Sequence, residues 1–186
     1  MPELLTFASS EYPADLKCQT LSFLRMQWPD GFVGENQFRN WVAKEADHPV
    51  HIVLVERGIL ISHTNVVWKP LEHEGVTFKT YGLTGVFTYP AFRGKGYGSR
   101  IVRAGTAYID QSDADIAMFH CDLELQAFYV RSDWTPMPEA TTFIGSREAP
   151  EEVADVLMMR FISEKGRAAR ATFERGTVYF GSDSTW

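Results

Sequence analysis

Apolar and polar positions alternate with two different periods along this chain, and the changes of period mark its elements. From Ala14 to Trp28 the apolar residues Ala14, Cys18, Leu21, Leu24 and Trp28 recur at helical spacing, and Pro29-Asp30-Gly31 stops the run. A shorter helix is predicted from Asn36 to about Lys44, with Phe38, Trp41 and Val42 on one face. Gly31-Phe32-Val33-Gly34 lies between them as a flexible apolar linker, a plain helix connector or a loop that borders a cleft. Val50–Val55 and Ile59–Trp68 are rich in β-branched residues and flank Glu56-Arg57-Gly58, which predicts an antiparallel hairpin. A third strand is predicted from Val76 to Tyr89. Its alternation starts at Val76 and Phe78 but slips to Tyr81 and Leu83 beside Gly82 and Gly85, which predicts a β-bulge.

Helical spacing returns at Ile101, Val102, Gly105, Tyr108 and Ile109, with Arg100, Arg103 and Asp110 on the other side. The wholly apolar Ile116-Ala117-Met118-Phe119 then reads as a strand covered on both faces, parallel to the preceding one through a right-handed crossover. Asp122 and Glu124 close that strand, Leu125–Val130 makes a short helix, and Trp134-Thr135-Pro136-Met137-Pro138 ends it. Strands are expected at Thr141–Ile144, at Val153 or Val156 to Ile162, and at Thr177–Gly181. Pro150-Glu151-Glu152 resembles a helix N-terminus, and Glu164–Glu174 reads as a helix despite Gly166. One βαβ unit appended to antiparallel strands is an α/β arrangement, and 186 residues suit one domain.

Composition narrows the classes of function. The hydrophobic content of 45% is that of a chain that builds a core. A net charge of −6 argues against nucleic acid as a partner, because phosphate backbones are held by clustered Lys and Arg. Cys18 and Cys121 lie far apart and outside any Cys-x-x-Cys pair, so neither a disulfide framework nor a zinc ribbon is expected, and a reducing cytoplasm is the natural compartment. Glu3, Glu11 and Asp15 replace the basic segment of a signal peptide, and no apolar run is long enough to cross a membrane.

The candidate chemistry lies where the third strand meets the following helix, in Phe87-Thr88-Tyr89-Pro90-Ala91-Phe92-Arg93-Gly94-Lys95-Gly96-Tyr97-Gly98-Ser99-Arg100. Gly94, Gly96 and Gly98 allow a tight turn whose N–H groups converge, and the helix dipole aims at the same spot. Arg93 and Lys95 add full charges. A phosphate-bearing ligand is expected there.

Arg93-Gly94-Lys95-Gly96-Tyr97-Gly98 fits the Arg-x-x-Gly-x-Gly pyrophosphate signature of the GNAT superfamily of acyl-CoA-dependent N-acetyltransferases, which the order of elements also resembles. Pro90 stands at the usual place before it, and Ala127-Phe128-Tyr129 is a looser echo. The resemblance implies the GNAT acyltransferase fold: a central, mostly antiparallel sheet with one parallel strand pair and helices on both faces. It implies that backbone groups of Val86, Phe87 and Thr88 hold the pantetheine arm of acetyl-CoA. The N–H groups of Arg93, Gly94, Lys95, Gly96, Tyr97, Gly98 and Ser99 would hold its pyrophosphate. The acyl thioester would lie in a gap where this strand and the next diverge, with Asp122 beside it. Tyr129 is the expected general acid for the departing thiolate, with Asp122, Glu124 and His120 as candidate bases for an amine that must lose a proton. Direct transfer needs no acyl-enzyme, so Cys121 is read as packing. The expected products of the chain are acetylated amines, the acceptor a small molecule of aminosugar or polyamine type drawn by Glu35, Glu72, Glu74 and Asp122. Two early helices are somewhat similar to aminoglycoside-type acetyltransferases. The expected partners are this amine and a second copy of the chain, with no metal, nucleic acid or membrane.

Two other readings use the same residues. Gly94-x-Gly96-x-x-Ser99 with Asp122 nearly spells a dinucleotide-binding fingerprint, but an antiparallel meander precedes it where that fold begins with its βαβ unit. A Walker loop fails because Lys95 is followed by Gly96. A non-catalytic coenzyme A binding module is the remaining alternative.

Overall fold

The computed structural model describes residues 1–146, 148–181 and 186, which divide into two compact units. The first comprises Met1–Val67 with Thr84–Gly105, the second Trp68–Leu83 with Thr106–Trp186.

The first unit opens with β1 (Glu3–Ala8), a strand that the hydrophobic pattern did not predict. It runs antiparallel to β2 (Val50–Glu56), from Glu3 opposite Val55 to Ala8 opposite Val50. β2 turns through Arg57 and Gly58, both with positive φ (54° and 77°), into the antiparallel β3 (Ile59–His73). Two left-handed residues are what a two-residue turn matched to strand twist requires. Glu74 and Gly75 (48° and 77°) repeat the device ahead of β4 (Val76–Thr88). The order in this unit is β1-β2-β3-β4, and β3 and β4 each contribute residues to both units.

α1 (Ala14–Gln27) has the predicted length but a different buried face. Leu16, Thr20, Phe23 and Leu24 are buried, whereas Cys18 and Trp28 are exposed. Thr20 is why the stripe was mislaid: this polar residue is buried because its hydroxyl donates to the Leu16 carbonyl (2.9 Å) and lies 2.7 Å from the Tyr12 hydroxyl. The helix expected over 36–44 is absent. A single 3-10 turn occupies Gly34–Asn36, Phe38 is 85% exposed, and the Arg39 guanidinium sits over the rings of Phe32 (4.0 Å) and Trp41 (4.6 Å). That cation–π stack needs an irregular backbone and outweighs a weak helical pattern. The core of this unit gathers Tyr12, Leu16, Phe23, Val53, Leu60 and Phe87.

α2 (Tyr97–Asp110) contributes to both units. It buries Ile101, Val102 and Ile109, while Tyr108 is half-exposed at 38%. The second unit continues with β5 (Ile116–Cys121), α3 (Gln126–Val130), β6 (Thr135–Pro136), β7 (Thr141–Ser146), β8 (Ala149–Glu152) and β9 (Val156–Phe161). β5 is parallel to β4, with Thr80 opposite Ile116 and Tyr81 opposite Ala117, and antiparallel to β9 along its whole length. Its sheet runs β3-β4-β5-β9-β6, so the expected parallel pair among antiparallel neighbours is present. A second sheet of order β10-β7-β8, with β10 spanning Thr177–Tyr179, adds a parallel pair that was not foreseen.

Pro150-Glu151-Glu152 belongs to β8 and not to a helix start; the strand is exposed throughout and pairs with β7 on one side. Charge and proline on an exposed edge discourage further pairing, and the same residues mimic a helix N-terminus. The helix expected over 164–174 is two, α4 (Glu164–Ala168) and α5 (Arg170–Glu174). Gly166 is a packing necessity, since a Cβ there would meet the Asp115 carbonyl oxygen at 2.0 Å. The core of this unit includes Phe78, Met118, Met159, Phe173 and Phe180.

Candidate functional site

The phosphate loop and the end of the strand before it, from Thr84 on, belong to the first unit. Gly85 has φ +59° within β4, a left-handed residue in an otherwise extended strand, which is the conformation a bulge uses. The polar run Ser62-His63-Thr64-Asn65 of β3 is buried, at 1% exposure or less, and two of its side chains bond β4 there. Nδ1–H of His63 donates to the Gly85 carbonyl (2.8 Å). Ser62 Oγ donates to the Phe87 carbonyl (2.6 Å), which leaves the Thr88 hydroxyl as the donor in its 2.9 Å bond to Ser62 Oγ. The Tyr89 N–H donates to Ile61 O (3.0 Å). Tyr89 and Phe87 thus direct backbone groups at β3, and alternation along a strand directs those of Val86 and Thr88 to the other edge.

The Phe87 ring is buried between Phe23 (4.2 Å) and His63 (5.2 Å), so this residue anchors the strand with its side chain. The sequence offered a signal for the supporting layer that went unread, namely four consecutive polar residues inside an apolar strand.

After Thr88 a 3-10 turn spans Pro90–Phe92 and closes with Arg93 N–H on the Pro90 carbonyl (3.2 Å). Arg93 Nε donates to the Thr88 carbonyl (2.9 Å), which ties the loop to the end of β4. Gly94 and Gly96 have φ of +77° and +78°, and a Cβ at either would meet nothing within 4 Å. Glycine is required there by backbone conformation and not by crowding. Gly98 lies within α2 and has no positive φ. The Arg100 N–H donates to Gly96 O (3.0 Å), so helical bonding begins at that pair and the preceding N–H groups lie ahead of it. Amide donors, the positive end of a 14-residue helix, and Arg93 and Lys95 make a cradle whose chemistry fits a pyrophosphate.

The candidate catalytic residues belong to the second unit, and β5 sorts them. Tyr129 is 6% exposed in α3 and packs edge-on against Phe119 (4.6 Å). Burial raises the pKa of its hydroxyl well above the usual value, and Cys121 and Asp122 add to the effect, so Tyr129 stays protonated at neutral pH. The Cys121 thiol is pushed up to about 11, by burial first and then by Asp122 and Asp155, which makes it a poor nucleophile. Asp122 and Glu124 are exposed.

His120 is separated from this group. It follows Phe119 on β5, and successive side chains point to opposite faces. Its ring lies 5.7 Å from Phe180, while the ring of Phe119 lies against Tyr129 and Trp134. Burial, with a smaller contribution from Lys69, lowers the pKa of His120 to about 4, and neither ring nitrogen has a hydrogen-bond partner among the described residues. The structure thus groups Tyr129 with Cys121 and Asp122 and sets His120 on the opposite face.

Comparison with known proteins is consistent with these features. A model of the Acetyltransferase (GNAT) domain matches residues 6–137. An acyl-CoA N-acyltransferase from Pseudomonas aeruginosa is similar in structure, with a TM-score of 0.60 at 15% identity over 86% of this chain and 99% of that one. Escherichia coli ElaA has a TM-score of 0.57 at 15% identity, covering 86% and 99%. A GCN5-related N-acetyltransferase from Ralstonia eutropha has a TM-score of 0.55 at 17% identity, covering 75% and 95%. No curated protein matches in sequence. No helix among the described residues is long and apolar enough to cross a membrane. With a matching model that spans more than half of its length, the chain belongs to the GNAT acetyltransferase family, whose members are acyltransferases.

Proposed function

We propose that this chain transfers an acetyl group from acetyl-CoA directly to the primary amine of a small molecule. The observation that carries this reading is the pair of left-handed glycines, Gly94 and Gly96, in a loop tied by Arg93 to the end of a bulged strand. In this reading backbone groups of Val86, Phe87 and Thr88 bind the pantetheine arm, and the N–H groups from Arg93 to Ser99 bind the pyrophosphate.

The bound thioester supplies an activated acyl carbon. The amine lone pair forms the new C–N bond there, the C–S bond breaks, and the electron pair leaves on sulfur. Tyr129 gives its proton to that sulfur, a role that fits a hydroxyl whose raised pKa keeps it protonated. Asp122, which shares the Tyr129 neighbourhood, takes the proton lost by the amine, whereas His120, the other candidate base, lies on the opposite face of β5 from Tyr129. The acceptor is of aminosugar or polyamine type, consistent with the net charge of −6. The free thiols Cys18 and Cys121 suit a cytoplasmic setting.

The test is mass spectrometry of acetyl-CoA incubated with the protein and a panel holding a polyamine, an aminoglycoside and an amino acid. The expected result is an acetylated amine with an equivalent of free coenzyme A. Tight coenzyme A binding with no transfer across the panel would turn the reading to a non-catalytic binding module.

A further inference from the structure

The first unit holds a cavity of about 530 Å³ that none of the chemistry above uses. Sites for small molecules fall in the same range of size. Its lining includes the aromatic residues Tyr12, Trp41 and His51, with Lys17, Lys44 and Glu45 as the charged ones.

The rings are held in place before any ligand arrives. Tyr12 stacks on His51 with centroids 4.0 Å apart and planes within 7°, and its hydroxyl is tied to Thr20. Trp41 is stacked by the Arg39 guanidinium, which also caps Phe32. Fixed aromatic walls favour a flat, apolar ligand body at small entropic cost.

The charges specify the rest. Neither Lys17 nor Lys44 has an ion-pair partner among the described residues, and Glu45 is the one carboxylate among the lining residues. Among the lining residues two cations face one anion, while Asp15, outside the lining, also acts on Tyr12. Burial lowers the His51 pKa, Asn65 opposes that, and Lys17 adds a smaller lowering, which sets a cation near the ring stack. A cationic amine is disfavoured in such surroundings and a carboxylate is favoured.

The cavity wall is also joined to the bulge. The Gly85 carbonyl can only accept, so the His63 nitrogen bonded to it, Nδ1, carries the proton and Nε2 is bare. His51 Nδ1 stands 3.5 Å from that Nε2, and the Asn65 side chain acts on both rings. Burial keeps both rings neutral at neutral pH, with His63 lowered to about 3 and His51 to about 4. Two neighbouring imidazoles, of which His63 is bonded to the Gly85 carbonyl, therefore connect the cavity wall to the one left-handed residue of β4.

We infer that the cavity binds a small aromatic carboxylate, with Tyr12 and Trp41 against its ring and Lys17 and Lys44 at its carboxylate, and that its occupancy is linked through His51 and His63 to the bulged strand. The linkage, though not the binding, rests on the reading of that strand as the donor site.

Calorimetric titration of the full chain with phenylacetate, benzyl alcohol and benzylamine tests the site. Phenylacetate has no amine to be acetylated, so it reports occupancy apart from turnover. It is expected to bind on the order of tenfold more tightly than the other two, the worth of one charge-assisted contact. The double variant Lys17→Gln with Lys44→Gln is expected to lose that advantage, with a melting temperature that stays near the wild-type value and so certifies folding. Equal binding of the three probes, absence of phenylacetate binding, or indifference to the double variant overturns the site.

For the linkage, coenzyme A is titrated with and without saturating phenylacetate, and its Kd is expected to change by the factor that coenzyme A imposes on phenylacetate. An unchanged coenzyme A Kd overturns the linkage. Coenzyme A that fails to bind at all overturns the donor reading and with it the linkage, while the carboxylate titration, made without coenzyme A, still decides the site.

Discussion

Two strands of this protein are built in opposite ways. At the end of β4 the backbone is the element the proposed donor site uses: Gly85 is left-handed, its carbonyl is taken by His63, and Phe87 turns its side chain into the core. In β5 all six residues are buried and regularly paired to β9, and side chains differ only in the face they occupy. Phe119 and Cys121 share a neighbourhood with Tyr129, and His120 faces away. Donor recognition of this kind depends on φ angles and peptide groups. Proton transfer depends on which of two faces a residue takes and how deeply it is buried.

Four perturbations separate the two strands. The largest effect is expected from Tyr129→Phe, which removes the proposed acid: kcat should fall by about 10²–10⁴ while coenzyme A affinity holds. A kinetic comparison that finds unchanged kcat would remove Tyr129 from the chemistry and leave the donor loop untouched.

Next comes acid sensitivity, to which both regions contribute. His51, His63 and His120 are lowered from the ordinary 6.5 to about 4, 3 and 4, each by burial first. A histidine whose folded pKa lies below its unfolded one takes up its proton more readily in the unfolded chain. Stability is therefore full above about pH 6.5 and is lost as pH falls toward 4, by on the order of 1 kcal/mol per pH unit for each such histidine. Denaturant melts across this window should show the decline, and a His51→Gln with His63→Gln variant should flatten it more than His120→Gln. Equal slopes in all three proteins would contradict the burial argument.

A smaller effect is expected from Gly96→Val. A side chain at φ +78° costs about 1–2 kcal/mol, which corresponds to roughly 5- to 30-fold weaker coenzyme A binding. Because an added Cβ meets no atom within 4 Å, the penalty is conformational, and Gly96→Asn should recover part of it. Equal losses for the two variants in a titration would point to crowding by the ligand instead.

The smallest effect is expected from Arg93→Lys. It removes the Nε–H bond to the Thr88 carbonyl but retains a charge, and should weaken coenzyme A by about fivefold, near 1 kcal/mol. An unchanged dissociation constant would mean that the tie between loop and strand carries no binding energy.

The same contrast explains what could be read from residues alone. The loop was legible because glycine spacing announces left-handed backbone, and the slip beside Gly82 and Gly85 announced the irregularity of β4. The first hairpin was legible through Arg57-Gly58, although β3 runs on to His73, past the expected Trp68, and the second turn at Glu74-Gly75 was not read. β5 was legible as a strand from its apolar run, but a strand buried on both faces shows no alternation, so the facing of His120 was hidden. The buried stripe of α1 was hidden by Thr20, a polar residue satisfied by Tyr12 and the Leu16 carbonyl. The stretch from Gly34 to Lys44 was misread because Arg39 acts there as a stacking group on Phe32 and Trp41, which no hydrophobic period records. β1 escaped notice because it is short and half-exposed, and its place depends on pairing with β2 across more than forty residues of intervening chain.

The central claim is that the loop after β4 holds the diphosphate of an acyl-CoA and not that of a dinucleotide. Thermal unfolding with acetyl-CoA, coenzyme A and NAD in parallel tests it most directly. Acetyl-CoA and coenzyme A, each at about a hundred times its Kd, should stabilise the protein by roughly 2.7 kcal/mol, and NAD should leave it unshifted. A shift with NAD alone would contradict the claim.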